Sequence, residues 1–222
     1  MAIDKSVPLV LLGSNSNIFK LVELAQSCGF SLLGMIDDDY HGAGNYKGIP
    51  VIGREENLRD FQDCQFLCAT NWTPDPGAVR NREKRARQLE LLTDHKLATL
   101  ISPQSSVSKY SVVGPGTIVY PFASVEPEVT IGNHSILYDY SIVGHESRIG
   151  NNVVLQRHCL VTSLVTVEDN VYMGLCSRAG RSHTTVSRGT FLHPSITVLR
   201  GTTPNEIVSL AGRKVYPEVY VE

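Results

Sequence analysis

From Ile101 onward every sixth residue is apolar: Ile101, Val107, Val113, Val119, Val125, Ile131, Leu137, Val143, Ile149, Leu155, Val161, Val167, Met173 and Ala179. A helix repeats its faces at 3.6 residues and an ordinary strand at 2, so neither explains a period of six. A fixed short repeat marks a solenoid, and six is the repeat of the parallel β-helix. Three such segments make a triangular coil of about eighteen residues, with aliphatic side chains pointing inward from each flat side. Two positions before each aliphatic lies a second inward slot, and it holds small residues: Thr117, Ala123, Val129, Ser135, Ser141, Ser147, Val153, Cys159, Val165, Val171 and Ser177. Continued at strict period, the small slot next falls on His183, and the aliphatic slot is held less well by Thr185, Phe191 and Thr197. The tail from Thr203, with Pro204-Asn205-Glu206-Ile207-Val208, is expected to close the open end.

The first hundred residues follow a different rhythm. Val7 to Leu12 is an apolar run ending at Gly13, which predicts a buried strand. Ser14 to Asn17 follow, then a helical pattern from Ile18 that stops near Gly29. A second apolar run, Phe30 to Ile36, ends in Asp37-Asp38-Asp39. This strand–loop–helix–strand unit opens a Rossmann-like sheet. Gly48 to Gly53 and Cys64 to Ala69 supply further strands, and Gly77 to His95 a charged amphipathic helix. Its run from Arg80 to Arg87 reads as a solvated face.

Composition narrows the class. A net charge of −2 gives no global pull toward nucleic acid or anionic lipid. No apolar stretch approaches the roughly 18 residues of a membrane span, and no secretory signal pattern opens the chain. Five scattered cysteines, Cys28, Cys64, Cys68, Cys159 and Cys176, read as core thiols rather than a disulfide or metal framework. The expectation is a cytoplasmic protein with no bound metal.

Two places carry candidate chemistry. The loop Gly13, Ser14, Asn15, Ser16, Asn17 offers backbone amides at a helix N-terminus and polar side chains, a cradle for phosphate or simply a capped turn. Asp37 and Asp38 end the second strand, where acidic side chains accept hydrogen bonds from a nucleotide. In the solenoid, residues eighteen apart stack, so His145 shares a column with Pro127 below and Ser163 and Arg181 above. A histidine at a corner points outward, and Glu146 beside it could orient the imidazole and stabilise its protonated form. Spacing alone leaves His145 open as a base or a surface residue. His134, His158 and His193 sit at other corners, as subunit contacts or ligands, and a three-histidine zinc site of the γ-carbonic anhydrase kind finds no suitably spaced partners.

The whole chain resembles the bacterial hexapeptide-repeat acetyltransferases that N-acetylate nucleotide-activated amino sugars. The resemblance runs through the Leu12-Gly13 turn, Ile36-Asp37-Asp38, Gly48 to Gly53, Gly144-His145-Glu146 and Pro204 to Lys214. It implies an α/β Rossmann-like domain at 1–100 that binds the nucleotide sugar. It further implies a left-handed parallel β-helix of hexapeptide repeats at 101–222, with a closing tail, that carries catalysis in a homotrimer. By the same resemblance His145 is the general base, Glu146 orients it, and the Ser163 backbone N–H meets the oxyanion formed from acetyl-CoA. Gly180, Arg178, Arg181 and Arg188 are expected along the coenzyme, and Asp139 at the sugar. Two departures stand out. The family's phosphate loop carries a histidine and a lysine where this chain has Asn17 and Phe19, and Ser163 replaces a glycine common one coil above the histidine. Sialic acid O-acetyltransferases share the layout, so a hydroxyl acceptor stays open, as does a non-catalytic scaffold. Surface-glycan synthesis such as lipopolysaccharide O-antigen is the implied setting.

Overall fold

The computed structural model describes residues 7–71, 79–93 and 95–215. The chain divides into two compact units, Met1–Leu100 and Ile101–Glu222. In the first, the apolar run becomes β1 (Leu9–Leu12), every residue buried, followed by α1 (Ile18–Ser27), which turns Ile18, Leu21, Leu24 and Ala25 inward. Next come β2 (Leu32–Ile36), β3 (Asn45–Tyr46), β4 (Ile49–Gly53), β5 (Gln65–Cys68) and α2 (Val79–Leu91). The sheet order is β3-β4-β2-β1-β5, parallel except for the β3 and β4 hairpin. Residues 77–78 and 94 of the predicted second helix lie outside the described residues.

The second unit is the expected solenoid. Strands β6 (Leu100–Ile101) to β22 (Thr197–Val198) are each two residues long and stack into three sheets. The register is a repeat of eighteen, as in Val125 beside Val143 and Val143 beside Val161. The inward aliphatics form one continuous core from Val119 to Val208, and the small slot is buried throughout from Thr117 to Ser177. From Gly116 onward each corner is turned by one residue with left-handed backbone: Gly116, Phe122, Glu128, His134, Tyr140, Glu146, Asn152, His158, Leu164, Asn170 and Cys176. Such a conformation costs a non-glycine residue about 1–2 kcal/mol, which cross-coil hydrogen bonds and the buried core offset.

The strict period fails once. The left-handed residue after Cys176 is His183, seven on rather than six, and Thr166 pairs with Thr185, nineteen on. A single extra residue is therefore accommodated at the corner following Gly180. Thr184, not His183, fills the small inward slot, and Val186, Leu192 and Val198, not Thr185, Phe191 and Thr197, face the core. His183 is exposed at the turn. The last coil is covered by β23 (Glu206–Ser209), which pairs with Phe191 and Leu192 and folds back into β24 (Gly212–Val215).

The basic run of α2 also departs from expectation. Lys84 and Arg85 are buried rather than solvated. The Lys84 ammonium donates to Asp37 Oδ1 at 2.7 Å and to Asp39 Oδ2 at 2.8 Å. Arg85 donates to the Thr70 carbonyl at 2.7 Å, while Gln88 bridges Thr70 and Glu55. Burial alone would lower the Lys84 pKa, but hydrogen bonds to the two aspartates and their charges outweigh it and hold the group above its ordinary value.

Candidate active site

His145 stands at the corner after β13 (Ile142–Val143). The left-handed residue of that corner is its neighbour Glu146. His134, His158 and His183 occupy the left-handed position itself, where short polar and imidazole side chains are tolerated. The phase of His145 is different, and its ring stands about half exposed. Nδ1 lies 3.1 Å from Glu146 Oε1. With the proton on Nδ1 donated to that carboxylate, Nε2 carries the free lone pair of a base, and it has no partner among the described residues.

The backbone around His145 is tied coil to coil. Glu146 N–H donates to the Pro127 carbonyl at 3.1 Å, and Leu164 N–H donates to the His145 carbonyl at 3.0 Å. His145 N–H donates to Glu126 Oε2 at 2.8 Å, from one coil below. One coil above, Ser163 packs against Gly144: a Cβ there would stand 2.5 Å from the Ser163 nitrogen. Only glycine permits this approach. The Ser163 N–H has no hydrogen-bond partner among the described residues, so an open backbone donor and an open imidazole nitrogen share one corner.

The remaining residues fall into separate groups. Arg178 lies in β19 (Arg178–Ala179), in the same sheet as β13, and Arg181 follows half-buried Gly180 one coil above Ser163; both arginines are exposed. Arg188 belongs to another corner, where it lines a cavity of about 470 Å³ with Arg148, Glu168 and Asp169. The structure does not bring the three arginines onto one face. Asp139 is largely buried and pairs with Arg157 at 3.3 Å, and that guanidinium lies over the Tyr138 ring.

In the first unit, Gly13 has φ of +81°, and a Cβ there would fall 1.9 Å from Thr70 Oγ1, so the loop begins on an obligatory glycine. Asn15 donates to the Ala69 carbonyl at 2.6 Å and accepts from Asn17 N–H at 2.8 Å. Ser14 is half-buried, and Ser16 and Asn17 are exposed. Asp37 is fully buried and committed to Lys84, whereas Asp38 is exposed at the strand end and accepts the Glu55 N–H at 2.9 Å. A cation missed in the sequence reaches this loop. Lys47 Nζ donates to the Ser16 carbonyl at 2.5 Å and lies over the Phe19 ring. It is aimed there by the β3–β4 turn, where Lys47 and Gly48 are both left-handed, as a two-residue hairpin loop demands. Sequence distance hides the contact; the Lys-Gly pair before Ile49 was its only local signal.

Among the described residues no cluster of three His, Cys, Asp or Glu side chains is placed to hold a metal ion, and no helix is long and apolar enough to cross a membrane.

No protein-family model matches the chain, and no curated protein matches it. Solved structures do. PerB from Caulobacter crescentus, in complex with CoA and GDP-perosamine, superposes with a TM-score of 0.77 at 21% identity over 94% of this chain and 97% of its own. WeeI from Acinetobacter baumannii AYE gives 0.73 at 17% identity over 95% and 100%. The acetyltransferase domain of PglB from Neisseria gonorrhoeae FA1090 gives 0.52 at 22% identity over 94% and 99%. At these identities the likeness establishes the fold: an N-terminal α/β unit followed by a left-handed parallel β-helix.

Proposed function

We propose that the chain transfers the acetyl group of acetyl-CoA to the amine of a nucleotide-linked amino sugar, with His145 as general base. The observation that carries this reading is the corner itself: an imidazole held by Glu146 through Nδ1, its Nε2 open, beside the open Ser163 N–H. An acyl transfer needs both groups, one to take a proton from the attacking nitrogen and one to receive charge on the carbonyl oxygen. The bound ligands of PerB, CoA and GDP-perosamine, support the choice of substrates.

In this mechanism the amine nitrogen attacks the thioester carbonyl, and His145 Nε2 accepts the proton that nitrogen loses. The carbonyl oxygen becomes an oxyanion facing the Ser163 N–H. Collapse expels the CoA thiolate, and the imidazolium returns its proton to that sulfur, so proton and electron counts close within one turnover. Glu146 fixes the productive tautomer and stabilises the imidazolium. Arg178 and Arg181, exposed on the coils above His145, are read as partners for the anionic coenzyme, with Gly180 beside them leaving room for it. Arg188, at another corner, would serve such a role only from a neighbouring copy, in keeping with the homotrimer the resemblance implies. The Gly13 to Asn17 loop, Lys47 and Asp38 are read as the nucleotide's contacts, with Asp37 holding Lys84 behind them. Asp139 is read as facing the sugar.

The test is CoA release from acetyl-CoA with UDP-, dTDP- and GDP-linked 4-amino-4,6-dideoxy sugars. Turnover on one of them supports the reading and names the nucleotide. Acetyl-CoA binding without turnover on any amine, but turnover on a hydroxyl sugar, replaces it with O-acetylation. No binding of acetyl-CoA refutes acyl transfer and leaves a scaffold.

A further inference from the structure

Successive coils treat the same amide differently at this corner. Glu126 and Gly144 are eighteen residues apart and occupy the same place, each following an inward valine of paired strands. The side chain at this place reaches the amide nineteen residues on. Glu126 thereby closes the His145 N–H with its carboxylate. Gly144 has no side chain, so the Ser163 N–H stays open. Without Glu126, two adjacent outward amides, His145 and Ser163, would compete for a carbonyl oxygen, one coil apart.

We propose that Glu126 is a positioning residue for acyl transfer: it occupies the His145 N–H, leaving the Ser163 N–H as the donor for the thioester oxygen, and pins the backbone that carries the imidazole. The inference rests on the acyl-transfer reading above. It concerns an acceptor oxygen rather than a charge, so a neutral carboxamide at 126 keeps the function. A side-chain cap also occurs at another corner, where Asn151 Oδ1 accepts the Asn133 N–H at 2.8 Å, and no group of the proposed reaction belongs to that corner.

The experiment compares wild type, Glu126→Ala, Glu126→Gln and Asn151→Ala. The readouts are kcat and KM for acetyl-CoA, and hydrogen exchange at the His145 amide. Glu126→Ala should lower kcat about tenfold, the scale of one hydrogen bond, with KM changed little and faster exchange at His145. Glu126→Gln should restore most of kcat and the slow exchange. Asn151→Ala, losing an equivalent bond elsewhere, should leave kcat unchanged. The proposal is overturned if Glu126→Ala matches wild type, if Glu126→Gln is as impaired as Glu126→Ala, or if Asn151→Ala loses as much. A wild-type chain that acetylates no acceptor defeats the proposed activity, and this inference falls with it; normal wild-type turnover with any of the three results above defeats the inference alone.

Discussion

Gly144→Ala separates the proposed oxyanion donor from the proposed base. The added methyl would stand 2.5 Å from the Ser163 nitrogen, 2.8 Å from its Oγ and 2.9 Å from its Cα. Ordinary contact begins at 3.4 Å, so the nitrogen must retreat by 0.9 Å. It cannot retreat freely. The Gly144 N–H is bonded to the Val161 carbonyl at 2.8 Å, and Leu164 N–H to the His145 carbonyl at 3.0 Å, on either side of the clash. Overpacking of this kind costs about 1–3 kcal/mol of stability, a melting shift of roughly 2–12 °C for a chain of this size. The catalytic loss should be larger. Displacing a donor by about 1 Å costs on the order of 10² in rate, and removing it outright about 10²–10³ in kcat. The assay is kcat for CoA release at saturating acetyl-CoA, measured well below the melting temperature of the variant. Ser163→Ala is the companion, because it keeps the N–H and removes only a hydroxyl; it should retain kcat. A folded Gly144→Ala protein with wild-type kcat would refute the role given to the Ser163 amide.

Lys84→Met should destabilise the fold by about 3–5 kcal/mol, because it strands the fully buried Asp37 carboxylate; denaturant unfolding measures this, and Lys84→Met combined with Asp37→Leu should recover most of the loss. Lys84 is held above its ordinary pKa, so its contribution is complete below the unfolded value of roughly 10.4 and is lost as pH rises through the folded value. The stability gap between wild type and Lys84→Met should therefore narrow only in strongly alkaline solution, and a gap that closes near neutrality contradicts the pairing. Burial pushes the Cys159 thiol up to about 11, whereas Cys176 is exposed. A thiol reagent at pH 7.5 should modify Cys176 first and leave Cys159 untouched until the protein unfolds, as peptide mapping will report.

The solenoid was legible because its signal is one-dimensional. An inward position every six residues needs no knowledge of distant partners, and it carried the core from Val107 to Ala179 and the outward setting of His145. The extra residue after Gly180 is hidden for a local reason. Thr185-Val186, Phe191-Leu192 and Thr197-Val198 each offer a plausible inward residue in either phase. The left-handed corner positions break the tie, passing from Cys176 to His183, but backbone handedness is not written in a hydropathy pattern. Nothing local marks Lys84 and Arg85 as buried, because a charged run is solvated by default and the carboxylate that pairs with Lys84 lies 47 residues away in sequence. Lys47 and Glu126 belong to the same class: ordinary charged residues until a hairpin or a coil repeat brings an acceptor or an amide to them.

In the proposed reaction His145 removes the proton from the attacking nitrogen, and everything else at the corner serves that step. The direct measurement is kcat for acetyl transfer by wild type and His145→Ala, with acetyl-CoA affinity and thermal melting recorded on both. A general base contributes about 10²–10⁴-fold, and the ring is half exposed outside the core. His145→Ala should therefore lose kcat by that order, with affinity and melting temperature nearly unchanged. A His145→Ala protein that acetylates its acceptor at the wild-type rate contradicts the proposed reaction.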